Sequence, residues 1–382
     1  MNFEKAVEAI LSPAGVSING NHPWDIQVKG RGFFPKVFLR GSLGLGESYM
    51  AGEWDCEMLD DLVCRICRTD ITARVKRTGE VNAWFKACLL NMQDRKRAFN
   101  IGRAHYDIGN ELYEKMLDKR MIYSCAIWEG ATDLDQAQEI KLELICRKLD
   151  LAPGMKLLDI GCGWGGLARF AAERYKVAVT GITVSRQQAE LARESCRNLP
   201  VEIRLQDYRD LSGRFDRVVS IGMFEHVGAK NYRTYLKKVR ELLADDGLFL
   251  LHTIGNNRSV RHTDPWLDRY IFPDSVIPSI CQISKAAEDL WVMEDWHNFG
   301  PDYDTTLRAW WRNCEKRWAE LPPGYDEKFK RMWRYYLLTC AGSFRARKNQ
   351  VWQIVFSPGG RPGGYRRPPL VGGQGLPTSQ HA

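Results

Sequence analysis

The sequence predicts an α/β protein: a mainly parallel sheet with helices on both faces, preceded by a smaller N-terminal α+β domain. Three observations predict it. Apolar strand-like runs alternate with helical stretches over residues 104–356. One of these runs ends in an acid and leads into a glycine-rich turn. The chain has 382 residues, 44% hydrophobic and 27% charged, enough for a full core and unlike a largely disordered chain.

Residues 1–73 read as the small domain, with a helix over 4–11, strand-like pieces at 25–28 and 37–39, and a turn-rich segment, GSLGLGESYMAGEWD, over 41–55. Gly41, Gly44 and Gly46 are spaced GxxGxG, which is not the dinucleotide fingerprint, so they are expected to be turn glycines supplying positive φ. Cys64 and Cys67 make a CxxC, but no second pair or histidine follows at zinc spacing. An amphipathic helix with two buried thiols is the expectation, with no metal site. The start, MNFEKAVEAI, lacks a basic stretch followed by an apolar one, so eleven cysteines point to cytoplasmic thiols and not to disulfides. No apolar run of about 18 residues offers a membrane span.

Residues 74–103 form a connector. Arg74, Lys76, Arg77, Lys86, Arg95, Lys96, Arg97 and Arg103 stand against Glu80 and Asp94, a local net charge of +6 within a chain of net charge +8. Trp84, Phe85, Leu89, Leu90, Met92 and Phe99 interleave with them. This pattern fits an interfacial helix on anionic lipid, and equally a helix between domains with its charges solvated. The global excess is too small for a dedicated nucleic-acid coat, and no recognition module is visible.

Within 104–356 the expected strands are KLLDI (156–160), VAVTGITV (177–184), VEIRLQ (201–206), RVVSIG (217–222) and LFLLHTIG (248–255). Residues 357–382 contain seven glycines and five prolines without an apolar period, and are expected to be a disordered tail.

The strongest motif is LLDIGCGWGG over 157–166. Asp159 closes the strand, and Gly161 and Gly163 let the backbone approach a ligand where a Cβ would clash. The order D-x-G-x-G-x-G-G resembles motif I of the class I S-adenosylmethionine-dependent methyltransferases, whose fold is Rossmann-like. Such enzymes usually place an acid after the second strand for the ribose hydroxyls. Here that segment, GITVSRQQ, has none, and Thr183 and Gln188 would supply hydrogen bonds instead. After the third strand Asp207 would accept from the adenine amino group and Tyr208 would stack on the ring; a plain surface acid fits Asp207 as well.

SIGMFEHVG (220–228) puts Glu225 and His226 at a strand end, and His252 lies in the next strand. A carboxylate and imidazoles there could move a proton or hold a small anion, and a satisfied structural histidine has the same spacing. Taken in order, YSCAIW, LDIGCGWGG, GMFEHVG, HTIG and NFGPDYDTTL resemble the cyclopropane-fatty-acyl-phospholipid synthases and the related mycolic acid cyclopropane synthases. GSLGLGESYMAGEW extends the resemblance into the small domain and favours the phospholipid branch.

That resemblance implies methyl transfer from S-adenosylmethionine to a cis double bond in a phospholipid acyl chain, with a carbocation that loses a proton as the ring closes. It implies bicarbonate as the base, held by Cys125, Glu225, His252, Ile254 and Tyr303, with Cys125 and Ile254 acting through backbone groups. It implies cofactor contacts at Tyr123, Ser124, Gly161, Gly163, Thr183, Val184, Gln188 and Ile221, so a missing ribose acid is normal for the family. It also implies a homodimer visiting the membrane surface. The aromatics at 123–128, with Phe272, Trp296, Phe299, Tyr303 and Trp310, suit a cation-stabilising pocket or a packed core. Two other readings stay open: a methyltransferase leaving a methyl branch, and a lipid-binding module that has lost activity.

Overall fold

A computed structural model describes residues 2–69 and 109–370; the connector 74–103 lies outside the described residues. The chain divides into two compact units. The larger holds Tyr113–Arg261, Val276–Thr306 and Gln350–Ala382; the smaller holds Met1–Leu112, His262–Ser275 and Leu307–Asn349. The catalytic half expected as one continuous block over 104–356 is therefore interrupted twice.

In the smaller unit the helix Phe3–Leu11 forms as expected, and β1 (Gln27–Val28) pairs antiparallel with β2 (Trp54–Asp55). The strand expected at 37–39 and the turns expected from 41 are instead one kinked helix, Phe33–Met50. Only Gly41 has the positive φ expected of a turn glycine (54°), and it marks the kink. Gly44 and Gly46 serve close packing: a Cβ at Gly44 would lie 2.0 Å from the Lys36 carbonyl oxygen, and one at Gly46 2.3 Å from the Trp266 ring. Cys64, buried, and Cys67, half-buried, sit on the helix Leu59–Arg68.

The returning helix Glu327–Arg345 explains the discontinuity. Arg331 donates to the carbonyls of Tyr49 (2.6 Å) and Trp54 (2.8 Å), and Arg334 donates to the carbonyl of Glu57 (2.9 Å). Arg345 pairs with Asp60. At Gly342 an added Cβ would lie 2.2 Å from the Asp60 carbonyl oxygen, so two backbones meet there with no room for a side chain. These contacts between distant parts of the chain fasten the N-terminal segment to a late helix.

The larger unit is built on a seven-stranded sheet. After β3 (Lys156–Ile160) come β4 (Ala178–Thr183), β5 (Val201–Leu205), β6 (Phe215–Ile221), β7 (Leu243–Asn256), β8 (Val292–Asn298) and β9 (Asn349–Ser357). Their order is β5-β4-β3-β6-β7-β9-β8, parallel from β5 to β7, with β8 and β9 antiparallel. Consecutive residues of β3 enter opposite cores, as a pleat requires. Leu157 packs with Leu142, Ile145 and Phe170, whereas Leu158 packs with Tyr235, Leu236 and Ile283. Helices therefore cover both faces, and the order reverses between β3 and β6, the switch point where such sheets bind ligands.

The tail departs from its expected disorder over 358–370. Arg367 pairs with Asp295, Tyr365 Oη donates to the Lys148 carbonyl (3.0 Å), Arg361 pairs with Asp150 (2.8 Å), and Arg147 donates to the Pro369 carbonyl (2.9 Å). Arginine and tyrosine anchors fasten a segment whose composition alone resembles a linker.

Candidate active site

The glycine turn sits at the carboxyl end of β3, beside the switch point. Gly161, Gly163 and Gly165 all have positive φ (85°, 53° and 80°), a conformation side chains with a Cβ avoid. A Cβ at Gly161 would press on Met223 at 2.9 Å, while one at Gly163 would meet nothing within 4 Å among the described residues. Gly163 thus presents bare backbone to open space, as a cradle for a ligand needs. Tyr113, on the helix Asn110–Met116, packs against both Trp164 of the turn (centroids 4.8 Å apart) and Tyr123 (5.1 Å). Asp159, 2% exposed, lies in the strand just before, and burial alone pushes its carboxyl up to about 7.

At the end of β4 Thr183 donates to Gln188 Oε1 at 2.9 Å, so these two residues form one polar pair where an acid is absent. Val184 beside them is 76% exposed. Ser185 caps the helix Arg186–Ser195 that carries Gln188. At the end of β5 Asp207 is already engaged: Arg209 holds its two oxygens at 2.8 Å each and keeps the carboxyl below its usual range. Oδ1 also accepts from Arg209 N–H at 2.9 Å, so Oδ2 is the oxygen with a lone pair left for a ligand. Tyr208 lies edge-on to Tyr235.

Strands β6 and β7 supply the acid and the imidazole. Ile221 pairs in register with His252, and Gly222 N–H donates to the His252 carbonyl at 2.9 Å. Just beyond β6, the turn 224–226 buries Glu225 and leaves His226 exposed, a choice that spacing alone left open. Glu225 Oε1 accepts from Ile254 N–H at 2.6 Å, while its buried Oε2 has no hydrogen-bond partner among the described residues. Burial, opposed only in part by such bonds, pushes the Glu225 carboxyl up to about 7. His252, 3% exposed, is held well below the usual imidazole range, first by burial and then by the positive charges of Lys141 and Lys148, so the ring is neutral. Gln353 Nε2 lies 3.3 Å from its Nδ1. With the amide donating, the ring proton stays on Nε2.

The loop over 122–128 brings in the remaining residues. Cys125 is 1% exposed, and burial pushes its thiol well above its usual range, with Asp302 adding to the shift. A thiol so held is no thiolate nucleophile. Thr306 fixes the loop by accepting from Ala126 N–H (3.1 Å) and Trp128 Nε1–H (2.9 Å). One turn before Thr306, on the helix Gly300–Arg317, Tyr303 is 8% exposed. Of the other aromatics, Trp296 packs edge-on to Trp352 (5.0 Å) and Phe299 packs on His297 (4.1 Å), both in the larger unit. Phe272 and Trp310 fall in the smaller unit, where Phe272 packs edge-on to Tyr336. The expected aromatic set is therefore split between two bodies.

Sequence reasoning missed three residues. Gln138, Lys141 and Lys148 on the helix Leu134–Lys148 are each 0% exposed. Gln138 Nε2 donates to the carbonyl of Ser124 (3.0 Å), and Lys141 Nζ donates to Ser124 Oγ (2.8 Å). Lys148 pairs with Asp295 at 3.2 Å. Burial draws the two ammonium groups down, to about 7 for Lys141 and about 8 for Lys148. A signal existed: residues 134, 138, 141, 145 and 148 follow the i, i+4, i+7 rhythm of a buried helical stripe.

Sheet order, switch-point glycines and the polar pair at the end of β4 define the class: a Rossmann-like methyltransferase domain arranged for S-adenosylmethionine. Residues 93–354 match the family described as mycolic acid cyclopropane synthetase, and the chain belongs to that family. It is 51% identical over 362 residues to the cyclopropane-fatty-acyl-phospholipid synthase of Escherichia coli strain K12, covering 94% of each chain. It is 40% identical over 268 residues to a probable fatty acid methyltransferase of Pseudomonas putida, covering 66% of this chain and 67% of that one. The solved mycolic acid cyclopropane synthase CmaA1, complexed with SAH and CTAB, is 30% identical with a TM-score of 0.62, covering 68% of this chain and 97% of that one.

Proposed function

We propose that this enzyme moves the methyl group of S-adenosylmethionine onto the cis double bond of an unsaturated acyl chain in a membrane phospholipid and closes a cyclopropane ring. The carrying observation is a buried acid and a buried neutral imidazole on adjacent strand ends, one strand away from the glycine turn. Near-identity of length and 51% identity with a phospholipid cyclopropane synthase support the substrate class.

Methyl transfer from a sulfonium donor to an alkene leaves a carbocation, and ring closure then requires loss of a proton from the added methyl. Bicarbonate, when bound, would accept that proton. The donor set suits a small anion: below about pH 7 the Glu225 carboxyl keeps a proton that its buried Oε2 can donate. Neutral His252 donates from Nε2, and the charges of Lys141 and Lys148 bear on the same ring. Ile254 N–H holds Glu225 in place at Oε1. Cys125 and Tyr303 complete the set, Cys125 through its backbone. Tyr123, Ser124, Gly161, Gly163, Thr183, Val184, Gln188 and Ile221 surround the cofactor, with Asp159, Asp207 and Tyr208 completing its end of the sheet. Water must stay out because it captures carbocations, and a neutral buried thiol at Cys125 avoids the same fate.

The enzyme works as a homodimer that docks transiently on the cytoplasmic face of the membrane; the +6 connector with its aromatic stripe supports the docking. Among the described residues no helix is long and apolar enough to cross a bilayer. A second reading, methyl branching, shares every step up to the carbocation. It is favoured by 32% identity, over 86% of this chain, to the tuberculostearic acid methyltransferase UfaA1 of Mycobacterium tuberculosis. The anion site is tested by assaying turnover in carbonate-free buffer. Loss of rate restored by added bicarbonate supports it, and a rate indifferent to bicarbonate removes it.

A further inference from the structure

The helix Leu134–Lys148 carries an ammonium group where a leucine would fit. Lys141 is fully buried, and its neighbours at the same rhythm are Leu134, Gln138, Ile145 and Lys148. Burying a charge costs far more than burying an alkyl chain, so such a position calls for a compensating use. Lys141 Nζ lies 2.8 Å from Ser124 Oγ, and one turn earlier Gln138 Nε2 binds the Ser124 carbonyl at 3.0 Å and the Ile122 carbonyl at 3.3 Å. Asp118 grips the start of the same loop, accepting from Arg120 N–H (2.9 Å) and Ile122 N–H (2.8 Å). Thr306 holds Ala126 at the other end. Gln138 and Asp118 hold backbone, and Thr306 holds the Ala126 backbone and the Trp128 indole. Lys141 instead fixes the side chain of Ser124, a residue that the cofactor reading sets against the ligand.

The consequence is chemical. Below about pH 7 Lys141 carries an ammonium group, which can only donate, so Ser124 Oγ accepts from it. The serine hydroxyl is then left to donate its own proton elsewhere, which suits a carboxylate and not an amine. Ser124 Oγ is thereby polarised by a buried positive charge, the arrangement that strengthens a hydrogen bond to an anion. S-adenosylmethionine carries one carboxylate, on its amino-acid end.

We propose that Lys141 is a positioning residue for the cofactor: through Ser124 it sets a hydroxyl donor for the amino-acid carboxylate of S-adenosylmethionine. This rests on the cofactor reading above. The test compares two probes, S-adenosylhomocysteine, which has the carboxylate, and 5′-methylthioadenosine, which lacks the amino-acid end. Binding of each is measured calorimetrically on the full chain, wild type and Lys141→Met. Affinity for S-adenosylhomocysteine should fall about tenfold or more while affinity for 5′-methylthioadenosine stays within about twofold. The melting temperature should hold or rise, because an apolar side chain of similar length replaces a buried charge. Ser124→Ala should reproduce the selective loss, and adding it to Lys141→Met should cost little more; this arm stands even where Lys141→Met folds poorly. Equal weakening of both probes, or unchanged affinity for S-adenosylhomocysteine, overturns the proposal. Wild-type protein that binds neither probe would overturn the cofactor reading itself, and Lys141's role with it.

Discussion

In the proposed mechanism Glu225 is the proton donor to the anion, and its environment sets the sign of two pH effects. Its folded carboxyl is raised to about 7, above the ordinary glutamate value, so it is protonated below that pH and loses its proton as pH rises through it. The kcat/KM profile should therefore fall on the alkaline side of about 7, and Glu225→Gln, which keeps a donor and an acceptor in the same shape, should flatten that limb. A limb unchanged in the variant assigns it to another group. Ionising a buried carboxyl also costs stability at high pH, so Glu225→Gln should melt higher than wild type at pH 8 and show little difference at pH 4.5, with a gain on the order of 3 kcal/mol at most. Cys125→Ser should keep most activity because the thiol is buried and protonated. Loss of activity together with mass-spectrometric recovery of alkylated Cys125 from wild type would reverse that role. Gly161, Gly163, Glu225 and His252 were legible in the sequence because turn glycines and strand-end polar residues leave a pattern. Lys141 and Gln138 were not, because a charged residue in a helix reads by default as solvated, and only burial shows otherwise.

At the scale of elements, β3 to β7 and the helix Phe3–Leu11 were legible, whereas β8, β9 and the helix Phe33–Met50 were not. Apolar runs marked β3, β4, β6 and β7 to within a few residues, since a parallel strand covered on both faces is mostly apolar, while the edge strand β5 (VEIRL) showed alternation instead. The helix Phe33–Met50 was hidden by its own glycines. Two of them exist because Lys36 and Trp266 come too close for a Cβ, which is a tertiary fact with no local signature. Gly46→Ala should accordingly lower the melting temperature, by an amount worth about 1–3 kcal/mol, since the buried Trp266 ring must shift. An unchanged melting temperature would show that the ring moves freely. The tail makes a parallel case. Its glycine and proline content read as disorder, yet Arg361, Tyr365 and Arg367 tie residues 358–370 to the larger unit. Removing residues 358–382 strips Asp295 of Arg367 and uncovers the Lys148 carbonyl, so the truncated chain should lose about 1–3 kcal/mol in denaturant titrations. Equal midpoints for both chains would mean the tail anchors nothing.

At the scale of the whole molecule, two units woven from five crossings of the chain replace the simple tandem that residue order suggested. Nothing in local composition announces that Leu307–Asn349 returns to the N-terminal segment; arginines donating to distant backbone carbonyls do it. The connector's charge gives the expected contact with lipid an electrostatic part. Flotation with vesicles should favour anionic over neutral lipid and weaken as salt rises from about 0.1 to 0.5 M, whereas equal, salt-independent binding would leave only apolar contact. The central claim is that the site closes a ring on an acyl double bond. Its most direct test is mass spectrometry of monounsaturated phospholipid vesicles incubated with the purified enzyme and S-adenosylmethionine, followed by ozonolysis. Ring closure gives acyl chains heavier by one CH₂ that resist ozone. Chains heavier by one CH₂ that ozone still cleaves would contradict ring closure, and chains of unchanged mass would contradict methyl transfer to the phospholipid altogether.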